Sequence, residues 1–265
     1  MKLNFELKLG AVIGIVITIM SITSFFWVPH DYNRMDYEKR FSPPSVKNLL
    51  GTDNFGRDIF SRIMAGGRNS LILAVCTVAG AAAAGSILGM IAGYLQGITG
   101  EIIMRLIDTL SSFPGIVMAL LLVAIMDNGQ FTIFIALLIL FIPSYTRIMR
   151  TGAIQYKDAF FIQAERITGA RFFRITFIHI LPNLFSSLIS ASVIGLSNAI
   201  LAEAAMSYLG MGIQPPEPSW GRMLSESQAY IYTAPWCALA PGIFIMLTVV
   251  AFHLLGEGLR RRFGG

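Results

Sequence analysis

The side chains able to do chemistry in this 265-residue chain are few and widely spaced. Asp53, Arg57, Asp58 and Arg62 recur at helical spacings in "GTDNFGRDIFSRIMAGG", and Asp58 and Arg62 make an i,i+4 pair. Carboxylates so placed could serve a metal ion, but no histidine or cysteine accompanies them. His30, His179 and His253 are scattered, so the clustered ligands of a zinc-type site are missing and the reading assigns no metal. Cys76 and Cys237 each fall in an apolar segment and do not read as a disulfide framework. No G-x-x-x-x-G-K-[ST] loop is there to cradle a nucleotide's phosphates. No nucleophile stands beside a base, so the sequence does not describe an enzyme.

What remains is a basic stretch without reactive chemistry. "FIQAERITGARFFRITFIHILPN", Phe161 to Asn183, holds three arginines, one glutamate, one glycine and a proline stop. The chain around it is oily: 55% of residues are hydrophobic, 13% are charged and the mean hydropathy is +0.66. Soluble domains carry about 25% charged residues, so the composition is that of a membrane protein. The net charge of +5 then has to be located before it is interpreted, and it is no sign of nucleic acid.

Six segments are apolar and long enough to cross a hydrocarbon core of about 30 Å, which takes about 20 helical residues. They run Leu9–Val28, Leu71–Leu95, about Ile103–Met126, about Phe131–Ile148, Pro182 to about Leu209, and about Cys237–Leu255. The first has no small-residue cleavage site and reads as an uncleaved anchor. The expected class is therefore all-α, a polytopic membrane protein. Its expected divisions are a tail and first span (1–28), an outer segment with an amphipathic helix (29–70), and a five-span core (71–265) with a loop at 149–182. Six spans put both termini and that loop on one side. That side carries Lys2, Lys8, Arg147, Arg150, Lys157, Arg166, Arg171, Arg174 and Arg260 to Arg262, and lysine and arginine mark the cytoplasmic face.

Within the loop, Asp158 to Thr168 can form a short helix with Asp158 at its N-terminus. Phe160, Phe161, Ala164, Ile167 and Thr168 give it one apolar face. Gly169 suits the left-handed position that ends a helix. A second amphipathic piece, Arg171 to Leu181, leads to Pro182, which can start the fifth span. The alternative is a linker lying on anionic headgroups.

Charges inside spans are costly and face a partner or a cavity. Arg105 and Asp108 share a helix face and can pair, with Glu101 in reach, either as a polar contact near an inner gate or as an ion pair anchoring the helix. Glu203 could contact a second subunit, line a path or cap a neighbouring helix. Ala81, Gly85, Gly89, Gly93 and Gly97 recur every four residues along span two, a stripe that lets helices approach closely. It could pack within the subunit or against a partner.

The loop resembles the cytoplasmic signature of the integral subunits of bacterial ABC importers, an E-A-A triplet followed at fixed spacing by glycine and then leucine-proline. Here these positions read Gln163-Ala164-Glu165, Gly169 and Leu181-Pro182, so one carboxylate has moved two residues along. "LLGTDNFGRDIFSRIMAGGRNSL", "MRLIDTLSSFPGIVMALLLVAI" and "MSYLGMGIQPPEPSWGRMLSE" are similar to segments of the C-type permease of dipeptide, oligopeptide and nickel importers. The resemblance implies the type I importer permease fold, with residues 163–165, 169, 181 and 182 in a coupling helix that docks on a cytoplasmic ATPase. It implies a second homologous permease, two ATPases carrying ATP and magnesium, an extracytoplasmic binding protein, and a bacterial inner membrane around the whole. This chain itself would hold no cofactor. Peptides are the implied cargo, with nickel or a metal chelate as the alternative. A secondary transporter would show repeated halves, and none is seen.

Overall fold

The computed structural model describes residues 5–127 and 129–263, with Phe263 described by its backbone alone; Lys2 and the ends of the chain lie outside them. Nine α-helices carry this part: α1 Phe5–Thr23, α2 Ile59–Leu95, α3 Gly97–Ser112, α4 Gly115–Met126, α5 Gln130–Lys157, α6 Phe160–Ile167, α7 Leu181–Tyr208, α8 Trp220–Ser227 and α9 Trp236–Phe263. A π-helical turn, Arg174–Ile180, runs straight into α7. Among the described residues, five helices are long and apolar enough to cross a membrane, or six if α3 and α4 count as one span.

That pair corrects the expected third span. α3 and α4 meet at 89°, because Pro114 disfavours helical backbone at Phe113, which takes φ −80° and ψ 130°. The outer amphipathic helix also differs from expectation. It is no separate element but the first turns of α2, whose 37 residues span about 55 Å and carry it well past the hydrocarbon core. Gly66 and Gly67 do not break it, since a Cβ on Gly67 would come within 2.6 Å of the Trp220 ring and 2.7 Å of Ser21. The neighbours fill the glycine notch. Asp58 caps its start by accepting the Ser61 amide at 2.9 Å.

Lipid gives helices little hydrophobic reason to associate, so close backbone approach has to hold the bundle. α2 and α5 meet along Gly85, Gly89 and Gly93, where added Cβ atoms would lie 2.5, 2.5 and 2.7 Å from α5 atoms. Gly97 is not part of this seam. It follows the end of α2 at φ +54°, with nothing within 4 Å, and serves the turn into α3. α1 packs on α9 in the same manner, for a Cβ added at Gly10 would lie 2.8 Å from the Ala251 carbonyl oxygen. One apolar cluster gathers Ile17, Val78, Ala81, Tyr145, Ile200 and Trp220 from α1, α2, α5, α7 and α8. A second, at the opposite end, gathers Met90, Met149, Ala153, Ile162, Ile175, Ile180 and Leu184, and this one positions the loop.

Candidate functional site

α5 ends at Lys157, and α6 begins at Phe160 after two intervening residues. Ala159 rather than Asp158 stands at its N-cap; Asp158 closes α5 and keeps its carboxylate 4.0 Å from the Arg166 guanidinium. α6 ends in a Schellman turn. The Ala170 amide donates to the Glu165 carbonyl and the Gly169 amide to the Arg166 carbonyl, each at 3.0 Å, with Gly169 at φ +83°.

The helix turns its apolar face outward, against the usual rule. Ile162 is fully buried in the cluster of Met90, Met149 and Leu184, whereas Phe160 and Ile167 are 90% and 87% exposed. Phe161 is less exposed, and its ring lies 6.2 Å from that of Tyr156. One isoleucine therefore anchors a helix whose large apolar side chains are free to meet another surface. Gln163 and Ala164 are exposed, and Gln163 donates from its side chain to the Asp158 carbonyl at 2.9 Å.

Glu165 is half-buried, with its carboxylate 3.4 Å from Nε2 of His179 on the π-helical turn. Arg166 points elsewhere. Its Nε donates to the Tyr94 hydroxyl at 3.3 Å, its guanidinium lies 5.2 Å from the Tyr94 ring centre, and it also donates to the Lys157 carbonyl at 3.1 Å. Leu181 and Pro182 do not start a new span after a break; the chain stays helical from Arg174 to Tyr208. The Leu181 amide reaches back five residues to Thr176, and this wider turn carries the chain past Pro182, which has no N–H to give.

The remaining candidates fall into two other places. Asp108 pairs with Arg147 of α5 at 2.9 Å instead of with Arg105, and no ion pair joins Arg105, Asp108 and Glu101 among the described residues. The pair is substantially exposed, so its contribution to stability is small. Glu203 is fully buried between α7, α2 and the start of α8. Ser207 donates to its Oε1 at 2.7 Å, while Oε2 has no hydrogen-bond partner among the described residues. Within this chain it is therefore an internal group beside the start of α8.

At the far end, the expected Asp58–Arg62 pair gives way to a buried network that the sequence did not disclose. Arg57 binds Asp53 at 2.6 Å and Glu226 at 3.1 Å, and Arg62 reaches the same Glu226 at 3.3 Å. Arg222 closes it from within α8, 3.2 Å from Glu226. Trp220, wholly buried, donates its indole N–H to the Ile63 carbonyl at 3.0 Å. The two quoted motifs around residues 49–71 and 206–226 are thus one structure, which straps α8 onto the start of α2. Their separation along the chain hid the pairing, although each motif carries both arginine and carboxylate side chains.

Residues 85–265 match the family of binding-protein-dependent transport system inner membrane components, and the chain belongs to it. It is a multi-pass membrane permease of a bacterial ABC importer. It is 40% identical, over 94% of its length and 85% of the relative's, to the glutathione transport system permease protein GsiD of Pectobacterium atrosepticum. To the dipeptide transport system permease protein DppC of Alkalihalophilus pseudofirmus it is 39% identical, over 94% and 84%. To the di/tripeptide transport system permease protein DppC of Pseudomonas aeruginosa it is 35% identical, over 95% and 86%.

Proposed function

We propose that this chain is a permease subunit for the import of short peptides, forming the translocation pathway with a second, homologous permease. α6 is its coupling helix: residues 163–165 and 169 shape the helix and its end, and residues 181 and 182 join it to α7. The observation that carries this reading is the outward apolar face of α6, Phe160 and Ile167, on a helix fixed beneath by Ile162. A helix that exposes phenylalanine and isoleucine needs a covering surface. Two ATPase subunits supply it, with ATP and magnesium bound on them. The α6 end and both termini face the cytoplasm, in line with the basic residues at that end. The outer strap of α8 on α2 faces the binding protein. The peptide cargo rests on the named cargoes of the relatives, glutathione, dipeptides and tripeptides.

The test is gentle purification of the tagged chain from its native host, with mass-spectrometric identification of its companions. Recovery of a second permease, two ATPases and a binding protein is expected, and the binding protein should take dialanine or glutathione. A binding protein that takes Ni²⁺ and no peptide would overturn the cargo. A chain recovered alone that moves peptide in liposomes without ATP would overturn the mechanism.

A further inference from the structure

We propose that Glu165 and Arg166 are positioning residues that tie α6 to two different spans, so that a displacement of α6 is delivered to α7 and α2 together. This rests on the coupling reading of α6 and adds to it the route by which movement leaves the helix.

Successive residues on a helix point about 100° apart, so neighbours in sequence can hold separate elements. Glu165 turns towards His179, three residues before α7's Pro182. The Nε2 of His179 is buried and makes no hydrogen bond among the described residues, and the Glu165 carboxylate stands 3.4 Å from it. A small rotation closes that gap. The displaced carboxylate of this sequence explains why the pair exists: at position 163 the side chain is exposed and turned back to the Asp158 carbonyl, whereas at 165 it faces the π-helical turn. Arg166 turns instead to Tyr94, in the last turn of α2, through both the hydroxyl and the ring face. Phe172 braces the same ring edge-on, with centroids 5.4 Å apart. Ile162 below supplies grip without direction, while the two polar side chains each define a direction of pull.

The experiment uses the complete transporter in proteoliposomes, with uptake of labelled dialanine and ATP hydrolysis measured together, and ATPase retention measured on purification. Glu165→Ala and His179→Ala should each lower uptake per ATP about three- to tenfold, as expected for loss of one partly buried charged contact. ATPase retention should not change. Glu165→Gln, which keeps the size of the side chain, should fall in the same range. The double variant should be no worse than either single one, and exchanging the two residues (Glu165→His with His179→Glu) should restore most of the ratio. A merely structural role would lower yield or ATPase retention and leave uptake per ATP unchanged. Arg166→Gln should lower the ratio alike, with Tyr94→Phe milder because the ring remains. Unchanged uptake per ATP in Glu165→Ala and His179→Ala, or simple additivity in the double variant, would sink the tie. Phe160→Asp separates the two levels: if it keeps its ATPases and its uptake, the coupling reading itself is lost. If it sheds its ATPases while the Glu165 and His179 variants transport normally, only the tie is lost.

Discussion

Gly89 is the tightest test of how the bundle is held. A Cβ there would lie 2.5 Å from the Thr146 carbonyl oxygen, 2.8 Å from the Met149 Cβ and 2.9 Å from the Arg150 amide nitrogen. Carbon–oxygen contacts settle near 3.3 Å or more, so α2 and α5 would have to part by most of an ångström at that point. Two of the three obstacles are backbone and cannot rotate aside. Overpacking of this kind costs about 1–3 kcal/mol. Gly89→Ala recovers close to 1 kcal/mol of helix propensity, leaving a net loss of about 1 kcal/mol. Gly89→Val carries two further methyl groups into the same gap without that gain, so its loss is about 3 kcal/mol. At about 2–4 °C per kcal/mol for a chain of this size, the midpoints should fall by about 3 °C and about 9 °C. Gly14→Ala is the control, since its Cβ would meet only Leu255 Cδ1 at 3.4 Å and Ala251 Cβ at 3.8 Å; it should not fall. The assay is thermal unfolding in detergent, followed with a thiol-reactive dye in a Cys76→Ala background. Cys237 is then the reporter, because it is buried while Cys76 is exposed. A Gly89→Val variant that unfolds with the wild type would refute the seam.

Further outcomes follow from other contacts. Gly169→Val forces a branched side chain into φ +83°, at a cost of about 1–3 kcal/mol, and should weaken ATPase retention without reducing membrane insertion. Glu226→Ala leaves the buried Arg57 and Arg62 short of their shared carboxylate and should destabilise by about 3–5 kcal/mol, whereas Asp108→Ala, an exposed partner, should change stability by less than about 1 kcal/mol. Both are read by the same thermal assay. Ile162→Ala should loosen α6 by about 2–5 kcal/mol, seen as faster amide exchange from Phe160 to Ala170 while α2 is unchanged.

Local signals in this sequence survive folding because one stretch of backbone enforces them. Gly169 ends α6 by its own φ, and the glycine period of α2 meets α5 because a smooth helical stripe has to face something. Gly97 broke the second rule since the period ran past the helix end. Pro114 and Pro182 show the limit of punctuation: one proline bends the chain by 89°, the other is absorbed by a π-helical turn that needs no amide at that site. Which residues pair across the fold was not legible. Glu226 lies 169 residues from Arg57, and Asp108 prefers an arginine 39 residues away to one three residues away. The most instructive case is the face of α6. Apolar periodicity locates a stripe but does not say whether the stripe's partner belongs to the same chain. In a self-sufficient domain the core is the default partner. On the function proposed above, the roles reverse: the smaller apolar contact, Ile162, holds the helix to its own chain, and the larger one, Phe160 with Ile167, stays exposed for a partner. Exposure of that stripe in a single chain is therefore itself an argument for assembly.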